Sequence, residues 1–176
     1  LVGSTASGTY SLNGVASSVI DFNSHSGFVI SDPDAKVVLN NLSINNSAFV
    51  ADISSGELDL NNVNIGSNNG SGITNDGTVK LTGSNTISDT ISNGTNSNGI
   101  LELVSGSTTL DADVTQKTLT VTSGTLNNNA ELSVAGGSNA STISGSGNLS
   151  TSGNFSNTGS ITQSLITHSA GTFTNG

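Results

Sequence analysis

The sequence contains no cysteine and no arginine, and it has one proline and few aromatic residues. Without cysteine, no disulfide can contribute to stability. Three lysines, Lys36, Lys80 and Lys117, face 12 acidic residues, which gives a net charge of −9. This balance cannot neutralise phosphates, so it argues against nucleic acid and anionic membranes as partners. No stretch approaches 18 apolar residues, so a membrane-spanning helix is not predicted either.

Serine, threonine, asparagine and glycine together make up more than half of the chain. Charged residues are 9% of the chain, hydrophobic residues are 32%, and there are 22 glycines. A chain in which about a third of the residues are apolar and few are charged is not expected to be disordered. The apolar residues are mainly Val, Ile and Leu, and they alternate with polar ones, which favours β-strands. A cysteine-free, β-rich composition of this kind is common among large exported bacterial proteins.

A repeat of about 21 residues runs through the middle of the chain. Each copy opens with a leucine, at spacings of 21, 21 and 22: Leu39, Leu60, Leu81 and Leu103. The Leu-Asn-Asn at 39–41 returns at 60–62, so that Asn41 recurs as Asn62, and Ile44 recurs as Ile65. A fixed period of this length is typical of a repeat architecture.

The units 36–56, 57–77 and 78–99 each contain short apolar patches separated by Asn, Gly and Ser, which favour turns. Three short strands and three corners per unit predict an all-β fold, a single-stranded parallel β-helix (β-solenoid) with about 18–22 residues per turn. Parallel crossovers are nearly always right-handed, and we expect the same hand here. Equivalent leucines would then stack in the core, and Asn41 and Asn62 would form an inward-facing amide ladder.

We expect residues 1–176 to be one solenoid segment cut from a longer protein, because the chain starts at Leu1 without Met and stops in mid-pattern. Phe28-Val29 precedes Phe49-Val50 by one such period, so the repeat is expected to extend upstream, past a turn at 32–34. In 100–176 the segment at Leu103 returns at Val121, a shorter offset than in the preceding units, which predicts tighter turns. Apolar residues recur every six positions from Ile143 to Ile161, which fits either three sides of an 18-residue turn or merely short strands with glycine corners.

Carboxylates two residues apart are the first candidates for chemistry, because on a strand both side chains lie on one face. There are three such pairs: Asp32 and Asp34, Glu57 and Asp59, and Asp111 and Asp113. They could bind Ca²⁺ or act as acid and base, but we expect them to be solvated surface residues. His25 and His168 are expected to be ordinary exposed histidines. No catalytic residue, cofactor or metal site is predicted.

The segment Leu-Asn-Asn-Leu-Ser-Ile-Asn-Asn-Ser at 39–47 resembles the passenger repeats of bacterial autotransporters and polymorphic outer-membrane proteins. The segment 143–149 is similar to a Gly-rich strand motif of the same family. The resemblance implies a right-handed parallel β-helix that is displayed outside the cell and acts in adhesion and self-association. The export signal and membrane anchor of that family are expected to lie outside this fragment.

The leading hypothesis is therefore a non-enzymatic adhesive segment at the bacterial surface. Its expected partners are a protein or glycan of a host cell or matrix, or another copy of itself. Polar loops at 68–71 and 88–98 are the expected contact points, with five asparagines as candidates: Asn68, Asn69, Asn93, Asn96 and Asn98. One alternative is a polysaccharide-acting β-helix enzyme or tailspike, which the lack of arginine and the scarcity of aromatic residues disfavour. The other is a passive stalk or spacer.

Overall fold

A computed structural model describes residues 2–4, 7–67 and 71–176. These residues contain no helix and form a β-solenoid of about seven turns. Its strands are β1 Val2–Ser4, β2 Gly8–Ile30, β3 Ala35–Ile53, β4 Glu57–Ile65, β5 Ser71–Asn75, β6 Thr78–Thr82, β7 Ser84–Ile87, β8 Ile91–Asn93, β9 Ile100–Leu103, β10 Ser107–Leu110, β11 Val114–Val121, β12 Thr125–Asn128, β13 Glu131–Asn139, β14 Thr142–Ser144, β15 Asn148–Thr151, β16 Phe155–Asn157, β17 Ser160–Ile161, β18 Leu165–His168 and β19 Phe173–Asn175.

Every strand pairs in parallel with the strand one turn away, which gives the solenoid three faces. The first face contains the strand segments 35–40, 57–61, 78–82, 100–103, 118–121, 136–139, 155–157 and 173–175. The second contains 42–45, 63–65 and then β7, β10, β12, β14 and β17. The third contains 25–30, 47–53, β5, β8, 114–116, 131–134, β15 and β18. The predicted β-helix is thus confirmed.

The length of a turn falls along the chain. Asn13 pairs with Asn40, which lies 27 residues further on. Lys36 pairs with Glu57 after 21 residues. Asn139 pairs with Asn157 after 18 residues, so the predicted tightening is confirmed. The expected upstream period is wrong, because Phe28 pairs with Ala51 rather than Phe49, and register shifts in β2 lengthen this turn.

The six-residue spacing near the C-terminus describes the three sides of one 18-residue turn. Ile143, Leu149 and Phe155 lie on β14, β15 and β16, one on each face, and all three side chains are buried. Ile143 pairs with Ile161 in the next turn. A hexad therefore places one apolar residue per face, and the glycines between them form the corners.

The core consists of columns of equivalent side chains. The four repeat leucines lie in register and are fully buried: Leu39, Leu60, Leu81 and Leu103. Ile44 and Ile65 pair in the same way on the second face. Each buried side chain therefore packs against its equivalents above and below, which no single turn could provide.

One corner between the first and second faces needs a left-handed backbone in successive turns. Asn41 and Asn62 adopt it with φ of 54° and 55°, and Gly83, Gly106 and Gly124 follow with φ between 69° and 90°. Asn and Gly tolerate this conformation better than other residues. Asn62 Nδ2 donates to Asn41 Oδ1 at 3.0 Å, so the two amides form a ladder. The expectation that this ladder faces inward is wrong, because both side chains are exposed at the corner.

Candidate functional site

The structure describes only one of the two expected contact loops, and only part of that stretch is a loop. Asn68 and Asn69 lie outside the described residues. The polar stretch 88–98 is not one loop, because it contains β8, where Ile91 is fully buried. Only residues 94–98 project from the strands, and we call them the projecting loop. Asn96 and Asn98 are exposed in it, whereas Asn93 is half-buried at the end of β8.

The projecting loop is held by the carboxylate of Asp76, which lies one turn earlier. The backbone N–H of Asn96 donates to Asp76 Oδ2 at 2.9 Å, and that of Asn98 donates to Oδ1 at 3.1 Å. Hydrogen bonds to a charged acceptor are stronger than neutral ones. The loop also turns back on itself, because the N–H of Ser97, with φ of 51°, donates to the carbonyl of Gly94.

Lys117 fixes the loop from the following turn. Its Nζ donates to Asn98 Oδ1 at 2.9 Å. The loop therefore has one anchor on each side, the Asp76 carboxylate and the Lys117 ammonium. The side chains of Thr95 and Asn96 are exposed between them.

Next to the projecting loop, a groove of about 470 Å³ runs along the outside of the third face. It crosses successive turns, so its long direction follows the solenoid axis. Hydroxyl-bearing side chains predominate among its lining residues, which are Asn93, Ser97, Thr115, Gln116, Lys117, Ser133, Val134, Ala135, Ser150, Thr151, Ser152, Thr167 and Ser169. We call this feature the hydroxyl groove.

One wall of the hydroxyl groove is a column of hydroxyls in register. Thr115 pairs with Ser133, Ser133 with Ser150, and Ser150 with Thr167. Ser150 Oγ donates to Glu131 Oε1 at 2.5 Å and lies 2.9 Å from Thr167 Oγ1. The hydrogen bond from Ser150 lowers the pKa of Glu131. The hydroxyls of Ser150 and Thr167 therefore form one hydrogen-bond network with the Glu131 carboxylate at the margin of the wall.

Buried amides lie beneath one end of the groove, where Asn93 and Gln116 are among the lining residues. Asn75 Nδ2 donates to Gln116 Oε1 at 2.6 Å, two turns away, and both side chains are buried. Asn93, in the intervening turn, has a buried Oδ1 with no hydrogen-bond partner. At the far end, Thr151 Oγ1 lies 2.8 Å from Nδ1 of His168, whose ring also meets Phe173 edge-on at 5.8 Å.

Sequence reasoning missed a second amide column inside the solenoid. Leu103 is followed in register by Val121, and Val121 by Asn139 and Asn157. Asn139 Nδ2 donates to Asn157 Oδ1 at 2.7 Å, and Asn157 Nδ2 donates to Asn175 Oδ1 at 2.5 Å. The signal was available, since these asparagines recur at the same interval as the apolar residues around them.

The Glu57 and Asp59 pair lies on the outer side of the first face between two lysines. Lys36 Nζ is 2.6 Å from Glu57 Oε1 and also contacts Asp59, and Lys80 Nζ is 2.8 Å from Glu57 Oε2. Burial by itself would raise the pKa of Glu57, but hydrogen bonds from Lys36 and Lys80 outweigh it and lower the pKa to about 2. Burial raises the pKa of Asp59. Glu57, Asp59, Lys36 and Lys80 therefore form a group of ion pairs, which we call the Glu57 cluster. This corrects the expectation that Glu57 and Asp59 are solvated surface residues.

The other carboxylates support the backbone and neighbouring turns. Asp32 Oδ1 accepts the N–H of Asp34 at 2.8 Å, which closes the predicted 32–34 turn. Asp111 accepts from the side chain of Asn129, and Asp113 accepts from the N–H of Glu131, each one turn on. His25 is exposed, with Nδ1 2.9 Å from the carbonyl of Asn23.

Among the described residues, no three His, Cys, Asp or Glu side chains come together as a metal site would require. The same residues provide no helix with the length and hydropathy to cross a bilayer. Comparison with family models, curated proteins and solved structures found no match to this chain.

Proposed function

We propose that this chain is a non-enzymatic adhesive segment, displayed at a bacterial cell surface, that binds its partner through the outer surface of the solenoid. The observation that carries the proposal is that the projecting loop lies directly beside the hydroxyl groove. A loop held by Asp76 and Lys117 stands beside a concave surface that spans several turns. A contact surface that is ordered before binding loses less entropy when its partner arrives.

The chemistry of the surface supports binding rather than catalysis. The side chains that line the groove are mainly hydroxyls. The Ser150 hydroxyl donates to Glu131, whose lowered pKa makes it a poor base, and Thr151, which contacts His168, is buried. The charged groups of the first face are engaged with one another in the Glu57 cluster. The Asp32, Asp111 and Asp113 carboxylates each accept a hydrogen bond from the backbone or a neighbouring turn.

The experiment displays the segment on a non-adherent bacterium. Attachment to host cells and settling of the culture are scored against an empty-display control. We expect attachment or clumping that falls towards the empty-display level when Thr95 and Asn96 are both replaced by alanine, because both side chains are exposed on the projecting loop. Neither substitution removes the backbone N–H that Asp76 binds.

The matched control replaces two exposed residues at another corner, Ser105 and Thr122, with alanine. Attachment that this control leaves intact places the contact at the projecting loop. If the displayed segment is folded and exposed yet neither attaches nor clumps, the adhesive function is wrong and a passive spacer takes its place.

A further inference from the structure

The hydroxyl groove has a regular geometry that points to a class of ligand. Its wall carries one hydroxyl per turn, from Thr115 through Ser133 and Ser150 to Thr167. Neighbouring parallel strands are about 4.8 Å apart, so these four hydroxyls span about 14 Å along the axis. Ser152 and Ser169 add hydroxyls across the groove. A linear ligand that lies along the axis would therefore meet polar groups at a constant interval.

The groups in the groove match a ligand that itself carries hydroxyls. A serine or threonine hydroxyl both donates and accepts hydrogen bonds, as a sugar hydroxyl does. Ala135, which is exposed, supplies apolar surface between the hydroxyl rows, against which the C–H groups of a sugar ring could pack. The sheet itself has no free edge here, because the groove runs across paired strands. A peptide along the axis could thus not add as a further strand, which disfavours a protein segment.

The charges favour a neutral ligand. Lys117 is the only charged residue among those that line the groove, and its Nζ donates to Asn98. Glu131 stands at the margin, where its carboxylate accepts from Ser150. The chain as a whole carries a net charge of −9. An anionic polysaccharide would meet repulsion from this charge, whereas an uncharged one would not.

We propose that the hydroxyl groove binds a neutral, linear oligosaccharide that lies along the solenoid axis, with about one sugar per turn. The proposal rests on the proposed adhesive function and names its ligand class. The projecting loop closes one end of the groove through Ser97, and its Asp76 and Lys117 anchors hold that end wall in place before binding.

The test uses the purified 176-residue chain and isothermal titration with neutral hexasaccharides: cellohexaose, N-acetylchitohexaose, maltohexaose and mannohexaose. Hexagalacturonate and an extended Ser/Thr-rich peptide are titrated in parallel. Ser152→Arg places a long side chain into the groove from an exposed position that follows β15. We expect at least one neutral hexasaccharide to bind and Ser152→Arg to weaken that binding by about tenfold or more, since a clash in a preformed site discriminates strongly.

The matched control is Thr122→Arg. Thr122 is also exposed and follows a strand in the same way, and its N–H makes the same type of bond to the previous turn as that of Ser152. It should leave binding unchanged, and equal urea midpoints would show that both variants are folded. The proposal is overturned if no neutral hexasaccharide binds, if only hexagalacturonate or the peptide binds, or if Ser152→Arg binds as well as the control.

The display assay separates this proposal from the adhesive function. If Ser152→Arg is displayed and attaches as well as the unmodified segment, the groove is not the adhesive surface, although adhesion stands. If the purified chain binds a neutral hexasaccharide but the displayed segment does not attach to cells, the groove stands and the adhesive function fails.

Discussion

At the scale of single residues, a side chain in the core must fit the residues at the equivalent positions of the turns before and after it. Leu60 is fully buried and has Leu39 and Leu81 directly above and below it. Where the same column reaches Asn139 and Asn157, each amide is compensated by the next. A buried polar group costs little when its hydrogen bonds are made within the column.

Leu60→Ala should lower the free energy of unfolding by about 2–5 kcal/mol, because it leaves a cavity that two fixed neighbours cannot fill. Urea unfolding followed by circular dichroism measures the change. Leu165→Ala is the control, since that side chain is 53% exposed in β18. Equal shifts for the two variants would mean that Leu60 does not occupy the core as described.

The Glu57 cluster should make stability depend on pH. The pKa of Glu57 falls from 4.5 to about 2 in the folded protein. Its ionised form therefore stabilises the fold above the unfolded pKa, and this contribution is lost as the pH falls from about 4.5 towards 2. Burial raises the pKa of Asp59, so protonation of Asp59 at low pH favours the folded protein. This effect opposes the loss of stability from Glu57.

The Glu57→Gln variant should consequently have a lower urea midpoint than the unmodified chain at pH 7. The difference between the two midpoints, which we call the gap, should be smaller at pH 3. Urea midpoints at both pH values check this. Asp34→Asn removes an exposed carboxylate outside the cluster and controls for net charge. A gap that stays constant between the two pH values would show that Glu57 gains nothing from Lys36 and Lys80.

At the scale of elements, the solenoid combines regular strands with segments that are added between them. The later turns contain 17 or 18 residues, as the contacts from Ser150 to Thr167 and from Asn139 to Asn157 show. The step from β8 to β11, which pairs Ile91 with Val114, is longer because it includes the projecting loop. An insertion of this kind is compatible with the fold when its backbone is satisfied locally, as Asp76 does here.

Asp76→Asn should loosen the projecting loop without unfolding the solenoid. It replaces a charged acceptor of two N–H groups with a neutral amide, and bonds to a charged acceptor contribute about 1.5–3 kcal/mol each. Hydrogen exchange should accelerate at Asn96 and Asn98, while the amides of β9 and β11 keep their protection. Asp52→Asn, on the exposed side of the same face, is the control. Unchanged exchange at both amides would contradict the anchoring role.

At the scale of the whole molecule, stacking converts short segments into long continuous surfaces. The first-face columns extend from Val37 through Leu58 to Phe155 and Phe173, whose rings stack at 5.6 Å. The outer surface repeats in the same way, so a ligand can meet equivalent groups in several turns at once. Many weak contacts that act together increase the overall affinity beyond that of any one contact. This is why an adhesive function suits the shape, and why display on a cell is the proper assay for it.

The predictions from sequence were most accurate where the repeat is closest to ideal. The spacing of Leu60 and Leu81 predicts their stacking directly, because residues one period apart lie at equivalent positions of neighbouring turns in a solenoid. The step from Phe28 to Ala51 was not predictable, since the register shifts in β2 leave no mark in the spacing of apolar residues. Asn41 and Asn62 were placed in one ladder correctly, but whether a corner side chain faces in or out depends on its φ.

The amino-acid sequence by itself determined the β-solenoid, its turn length in 36–99 and the leucine columns, because these follow from a local period of apolar residues. The turn length in the C-terminal part was decided by the strand pairing. Only the tertiary structure decided the hydroxyl groove and the anchored loop. Thr115, Ser133, Ser150 and Thr167 recur once per turn and look like any other serine or threonine in this chain. They become one surface because strand pairing sets them side by side.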